Sequence, residues 1–299
     1  FYNWYKVYSE HGIDGLAPSK RTSNRQWNNL PQEQKNLVVE LALDHPHLSS
    51  RELAYKLTDD QQIFISESSV YRILKARGLI TAPAHILLSA GNEFTNKTGF
   101  VHQMWQTDFT YFKILGWGWY YLSTVLDDYS RYIVHWELCE GMKVEDVKRT
   151  VDRAVFKAKI KSKNRPRLLS DNGSCYIAAE LKEYLKDNHD MNQVHGRPMH
   201  PQTQGKIERY HRTMKNVVKL DNYYSPEELI RAIEKFVQMY NNERYHESLQ
   251  NLTPADVYYG RGDAILKERE RIKQDCLRSR KKEYENFKLK NKKIELALN

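Results

Sequence analysis

The sequence predicts an α/β chain in which a mixed five-stranded sheet with flanking helices follows an all-α unit. Three observations carry this. Residues 31–80 show only helical patterning. From about residue 100 the chain turns to β-branched and aromatic stretches broken by turn residues. Beyond residue 140 helical and strand patterns alternate, as a sheet covered by helices requires.

Residues 1–30 read as the end of an upstream helical unit and a basic linker. Phe1, Trp4, Tyr5 and Tyr8 recur at helical spacing, Gly12 and Gly15 stop the pattern, and "APSKRTSNRQ" is polar and basic. Phe at position 1, where a start Met would stand, points to a fragment or a processed product. Residues 31–82 read as three short helices. The first opens at Pro31, the second at Ser49 or Ser50, and the third runs from a Ser cap to Gly78. On the third, Val70, Ile73 and Leu74 make an apolar face, while Ser68, Ser69, Arg72 and Lys75 fall largely opposite. That is the pattern of a helix-turn-helix unit. Residues 83–99 read as a linker.

Residues 100–261 read as the sheet domain. "MWQTDFTYFKI", "GWYYLSTVLDD" and "RYIVHWELCE" form an antiparallel meander, with turns at Gly116–Gly118 and Asp127–Ser130. An amphipathic helix with Val147, Val151 and Val155 at spacing four follows. Then come a short buried strand ending in "SDN", a helix, a strand "MNQVHGR", and the helix "TQGKIERYHRTMKNVVKL". The order β-β-β-α-β-α-β-α gives three antiparallel strands and two parallel ones. A further helix begins at "SPEEL". Residues 262–299 read as a charged, mostly basic helical tail with no obvious core face, hence as a solvated helix.

The 299 residues carry a net charge of +9 and a pI of about 9.2. A surplus of that size fits a polyanionic partner, most often nucleic acid. Cys139, Cys175 and Cys276 lie far apart, which supports neither a zinc ribbon nor a disulfide framework and makes a reducing, cytoplasmic setting the expectation. No secretory signal and no apolar run of membrane-spanning length is visible.

Three acids stand at distinct places on the sheet pattern: Asp108 within the first strand, Asp171 at the end of the fourth, Glu208 in the helix after the fifth. Taken singly, each has a bland explanation: an edge position, an Asp-Asn-Gly turn, a solvated helix residue. The set does not. In its helix Ile207, Tyr210, Met214, Val217 and Val218 make the apolar face, and Glu208, His211, Arg212 and Lys215 fall on the opposite one, with Lys206 near the start. A lone carboxylate on a basic face suits a helix that offers one metal ligand and then follows a phosphate backbone. Hard oxygen ligands point to Mg²⁺ or Mn²⁺. Two such ions about 3.5–4 Å apart catalyse in-line phosphoryl displacement.

"WQTDFTYF", "LDDYSRYIVHW", "SDNGSCY" and "HPQTQGKIERYHRTMK" resemble the integrase-like DDE catalytic core of bacterial insertion-sequence transposases. "YNNERYHESLQNLTPADVYYG" resembles the segment that closes that core, and residues 31–80 resemble the helix-turn-helix upstream of it. The resemblance implies an RNase H-like fold, with Asp108, Asp171 and Glu208 as catalytic metal ligands for two Mg²⁺ ions. It implies DNA cleavage at element ends followed by attack of a 3′-OH on a target strand. It also implies double-stranded DNA as partner and a dimer or tetramer, in a bacterial cytoplasm on the nucleoid. The spacing between the second and third acid is one residue longer than the family's common one. The zinc-binding His/Cys domain of retroviral integrases is absent, so His45 and His47 receive no metal.

His200, Gln202, Gln204 and Gly205 form the loop that the resemblance brings near the scissile phosphate. His200, Gln204, Lys206, His211, Arg212 and Lys215 are therefore candidate DNA contacts, the last three sequence-independent and salt-sensitive. Ser68, Ser69, Arg72 and Lys75 are candidates for the major groove. Gly173 lets the chain pass Asp171 without a Cβ clash. Asp127 and Asp128 read as turn residues, and Trp117, Trp119, Tyr120 and Tyr121 as core and sheet surface. Two rival readings stay open: a DNA-binding regulator with a structural core, and an RNase H-like nuclease that only hydrolyses.

Overall fold

The structure is a computed structural model that describes residues 1–16, 26–80, 98–160, 165–195 and 204–298. The chain divides into two compact units, residues 1–81 with 268–299, and residues 82–267.

The first unit opens with α1 (Tyr2–Gly15), kinked at Gly12, whose φ of +63° suits glycine. Its aromatic residues Phe1, Trp4, Tyr5 and Tyr8 are exposed. Three helices follow: α2 (Gln32–Asp44), α3 (Ser50–Gln61) and α4 (Glu67–Ala76). Pro31 precedes α2 and Ser66 precedes α4. Ser49 closes a capping box with Glu52, satisfying two of the orphaned amides at the start of α3. Val38, Leu53, Leu57, Ile65, Val70 and Leu74 make the core of this bundle. The apolar face expected on the third helix is the one that is buried.

The second unit is built on β1 (Met104–Ile114), β2 (Gly118–Asp127), β3 (Ile133–Cys139), β4 (Arg167–Ser170) and β5 (Gln193–His195), in the order β3-β2-β1-β4-β5. The pairs β1/β2 and β2/β3 are antiparallel, and β1/β4 and β4/β5 are parallel. This is the mixed sheet expected from the sequence.

Helices α5 (Val144–Ala158), α6 (Ser174–Ile177) and α7 (Ala179–His189) cover one face, closing over Trp105, Val125, Val134 and Leu168. Val147 and Val151, a turn apart on α5, are wholly buried there. Burial of each such side chain stabilises the fold by about 1.5–3 kcal/mol. Helices α8 (Gly205–Val218) and α9 (Pro226–Asn242) cover the other face, over Phe112, Ile114, Leu122 and Leu126. The short α10 (Pro254–Tyr258) follows, held by a capping box between Thr253 and Asp256.

The tail is helical, as the sequence predicts: α11 (Gly262–Leu298). Its expected solvation is wrong for the part that belongs to the first unit. Arg269 grips Asp59 through two bonds of 2.7 Å and lies over the ring of Tyr55. Ile272 is buried, the Phe64 amide donates to Cys276 Sγ, and Arg280 donates to the Phe64 carbonyl at 2.5 Å. The core face is spaced along the helix at 269, 272, 276 and 280 and is half made of arginines. A search for apolar periodicity therefore passes over it.

Candidate active site

Side chains alternate along β1. Gln106, Asp108, Thr110, Phe112 and Ile114 all face α8 and α9, because Phe112 and Ile114 belong to that core. Pairing between β1 and β4 runs Met104↔Arg167, Trp105↔Leu168, Gln106↔Leu169. Two residues beyond the last of these pairs come Asp108, still within β1, and Asp171, the first residue after β4. Their fields overlap on the α6 side as well. Burial pushes the Tyr176 hydroxyl well above its usual range, and Asp108, then Asp171, push it the same way. Burial raises the Cys175 thiol likewise, with Asp171 and then Asp108 adding to it.

Each aspartate is oriented locally. Asp108 Oδ1 accepts from the Phe109 amide at 2.8 Å, and Asp171 Oδ1 accepts from the Gly173 amide at 2.9 Å. Gly173 has an ordinary φ of −59°, so no left-handed turn demands glycine here. What demands it is space: a Cβ would stand 3.0 Å from Asp171 Oδ1. Asp171 thus both forms the turn and projects its carboxylate from it, exposed to solvent.

Helix α8 brings the third acid. Glu208 is exposed on its first turn. One turn on, His211 Nδ1 lies 3.3 Å from Asp108 Oδ2. His211 is only 6% exposed, which corrects its placement on the solvent face beside Arg212. It follows Ile207 by four positions, about 40° around the helix, and shares that residue's buried side. The first turn of α8 is also more buried than a phosphate-tracking face allows. Gln204 is buried, and Lys206 Nζ donates to Asp128 Oδ2 at 2.5 Å with little exposure. Burial lowers the Lys206 ammonium, Arg131 lowers it further, and Asp128 opposes both. Gln204 and His211 are thus buried, and Lys206 is turned to Asp128. Arg212 is exposed and Lys215 half-buried. On α4, Ser68, Arg72 and Lys75 are exposed and Ser69 is half-buried. Arg72 Nε donates to the Ser68 carbonyl at 3.1 Å. His200 and Gln202 lie outside the described residues.

Asp127 and Asp128 do form a turn, yet both are buried, and Asp128 does more than turn the chain. It accepts from Thr98 Oγ1 and Gln106 Nε2, each at 2.6 Å, besides Lys206. Gln106 spans the gap: its Oε1 accepts from the Ile207 amide at 3.1 Å. The residue at the N-cap position of α8, Gln204, makes no side-chain cap bond. An orphaned amide of the helix start is instead satisfied from the sheet. Gln106 thereby fixes α8, and Glu208 with it, against the strand that carries Asp108. Gln106 lies two residues before Asp108 on the same face of β1. A large amide aimed into a core from a strand is the signal that could have marked it.

All three acids offer hard oxygen donors, which fits a divalent cation such as Mg²⁺. Among the described residues no three His, Cys, Asp or Glu side chains are close enough to share an ion. Asp108 and Asp171 follow the paired ends of β1 and β4 by the same two positions, and Glu208 is exposed on the first turn of α8.

Residues 101–201 match the model of an integrase core domain, and residues 189–254 match a second model of the same description. Residues 1–74 match a homeodomain-like domain. Solved structures similar to the chain include the catalytic core domain of HTLV-2 integrase in complex with magnesium, at 19% identity and a TM-score of 0.43 over 53% of this chain and 97% of that one. The catalytic core domain of BIV integrase matches at 19% identity and a TM-score of 0.41, over 55% and 97%. A simian T-cell lymphotropic virus intasome in complex with a PP2A regulatory subunit matches at 16% identity and 0.48, over 74% of each chain.

Proposed function

From the integrase core domain that this chain carries behind a homeodomain-like region, we propose that it is a DNA transposase. It binds the ends of an insertion element, cleaves there, and joins the 3′-OH to a target strand. The observation that supports this reading is that β1 and β4 pair in parallel up to Gln106↔Leu169, two positions before Asp108 and Asp171, while His211 of α8, the helix that carries Glu208, contacts Asp108. Asp108, Asp171 and Glu208 are the residues proposed to hold two Mg²⁺ ions. When bound, those ions supply the charge that activates a water or 3′-OH and stabilises the leaving oxygen.

The protein's own groups do the positioning. His211 and the Phe109 amide fix the Asp108 carboxylate, and the Gly173 amide fixes that of Asp171. Gln106 and the Lys206–Asp128 pair fix the start of α8. Arg212 and Lys215 face the DNA backbone, a sequence-independent and salt-sensitive contact. Ser68, Ser69, Arg72 and Lys75 of α4 are assigned to the major groove of the element ends. Because joining involves two DNA ends, a dimer or tetramer is the proposed working form. No helix among the described residues is long and apolar enough to cross a membrane. A bacterial cytoplasm, on the nucleoid, is the proposed setting.

The test is to incubate the chain with element-end DNA and Mg²⁺, beside Asp171→Asn, and to resolve joined strands on a denaturing gel. Metal-dependent joined products from the parent only, with DNA binding kept by the variant, support the proposal. Cleavage without joining assigns a nuclease. Binding without chemistry from either protein assigns a regulator.

A further inference from the structure

Beyond Asp108, β1 continues to Tyr111 and Lys113, and its partner residues on β2 include Trp119 opposite Lys113. The β4 neighbour stops at Gln106, so this part of β1 has no strand on that side. Tyr111 is 50% exposed, Trp119 52% and Trp117 60%. The two tryptophans thus lie on the sheet surface rather than in the core, as one half of the sequence reading had it. Tyr111 and Trp119 meet edge to face, with centroids 5.4 Å apart.

Three lysines gather on these two rings. Lys215 Nζ stands 4.6 Å from the centroid of Tyr111, Lys219 Nζ 5.7 Å from the same ring, and Lys113 Nζ 6.0 Å from that of Trp119. Lys215 and Lys219 repel one another, which adds to burial in lowering the Lys215 ammonium. None of the three makes an ion pair among the described residues. Three cations without an ion-pair partner among the described residues, the acid felt by Lys215 being Asp108, form a surface short of negative charge. Half-exposed aromatic residues beside such a surface match a nucleotide, which supplies a phosphate and a flat base together.

We infer that Tyr111 and Trp119, ringed by Lys113, Lys215 and Lys219, form a platform for an unpaired nucleotide of the DNA strand held at Asp108. This rests on the DNA reading above and deepens it. The phosphates lie on the lysines, and one base stacks on an aromatic face. Bases inside a duplex have their faces covered, so the platform selects a frayed or single-stranded end. Lys215 links the two places: its Nζ stands over the Tyr111 ring and it lies close enough to Asp108 to feel its charge, although Tyr111, three residues on, leaves the opposite face of β1.

The experiment uses the full chain and three fluorescent DNAs: a blunt duplex, the same duplex with a short unpaired oligoadenylate tail, and that duplex with a tail of abasic nucleotides. The abasic tail keeps the phosphates and removes the bases. The parent is expected to bind the adenylate tail about tenfold more tightly than the abasic one. The double variant Tyr111→Leu, Trp119→Leu is expected to lose that difference and keep its binding to the abasic tail. Tyr111→Phe, Trp119→Phe, which keeps both rings, is expected to retain it. Equal binding of both tails by a parent that does bind duplex overturns the platform and leaves the DNA reading standing. A preference that survives the leucine variant also overturns the platform. Failure of the parent to bind any of the three DNAs overturns both.

Discussion

His211 Nδ1 lies 3.3 Å from Asp108 Oδ2, and its other ring nitrogen is buried without a hydrogen-bond partner among the described residues. A buried ring with a single polar contact is held there for that contact. It stops the Asp108 carboxylate from rotating while Oδ1 is fixed by the Phe109 amide. His211→Leu keeps most of the volume and removes the contact. Strand-joining activity is expected to fall about 10–100-fold, or to need correspondingly more Mg²⁺, with DNA affinity unchanged. A metal titration of activity beside a binding isotherm separates the two. Wild-type metal dependence in the variant would assign the histidine to packing alone.

Gln106 satisfies two groups at once, an oxygen of Asp128 and the amide of Ile207. Gln106→Leu fits the same space and satisfies neither. With two buried groups orphaned, the sheet unit is expected to lose about 2–4 kcal/mol. A urea titration checks this by a lower midpoint at unchanged slope. Activity should fall further than stability explains, because the start of α8 carries Glu208.

Glu137 on β3 is nearly buried and receives His135 Nε2 at 3.0 Å, Arg149 Nε at 2.6 Å and Arg153 at 2.8 Å. Burial alone would raise its carboxyl, but these three partners together hold it below its ordinary value of 4.5. A carboxyl lowered in the folded state stabilises fully above its unfolded pKa, and the contribution is lost as pH falls through the folded one. Glu137→Gln is therefore expected to be about 1–2 kcal/mol less stable than the parent at neutral pH, since the arginines are partly solvated. The gap should close as pH falls below 4.5. A pH series of thermal melts reads it directly, and a gap that widened in acid would contradict the assignment.

The sheet was legible because its signals are local. "MWQTDFTYFKI" and "GWYYLSTVLDD" are rich in β-branched and aromatic residues and are joined by a glycine turn, and the two strands do pair antiparallel. The places of Asp108 within β1 and of Asp171 just after β4 were legible because the order of strands along the chain could be written down. The α8 face was less so. Periodicity set Ile207, Tyr210 and Met214 inside correctly, but the sheet beneath the first turn of the helix also takes in Gln204, Lys206 and His211. The partners of Lys206 and His211, Asp128 and Asp108, lie 78 and 103 residues away, which no window of sequence contains. The same holds for α11, whose partners Asp59 and Phe64 lie more than 200 positions upstream.

That last distance has a consequence for how the protein comes into being. Helices α2 to α4 leave the ribosome early, but the segment that completes their packing, from Arg269 to Arg280, is synthesised only after the whole of the second unit. The nascent chain therefore has the whole of its sheet unit before the last segment of its helical bundle emerges, the reverse of the order in which the two units begin. A chain interrupted before Arg269 would present Asp59 and the Phe64 carbonyl without the arginines that pair with them.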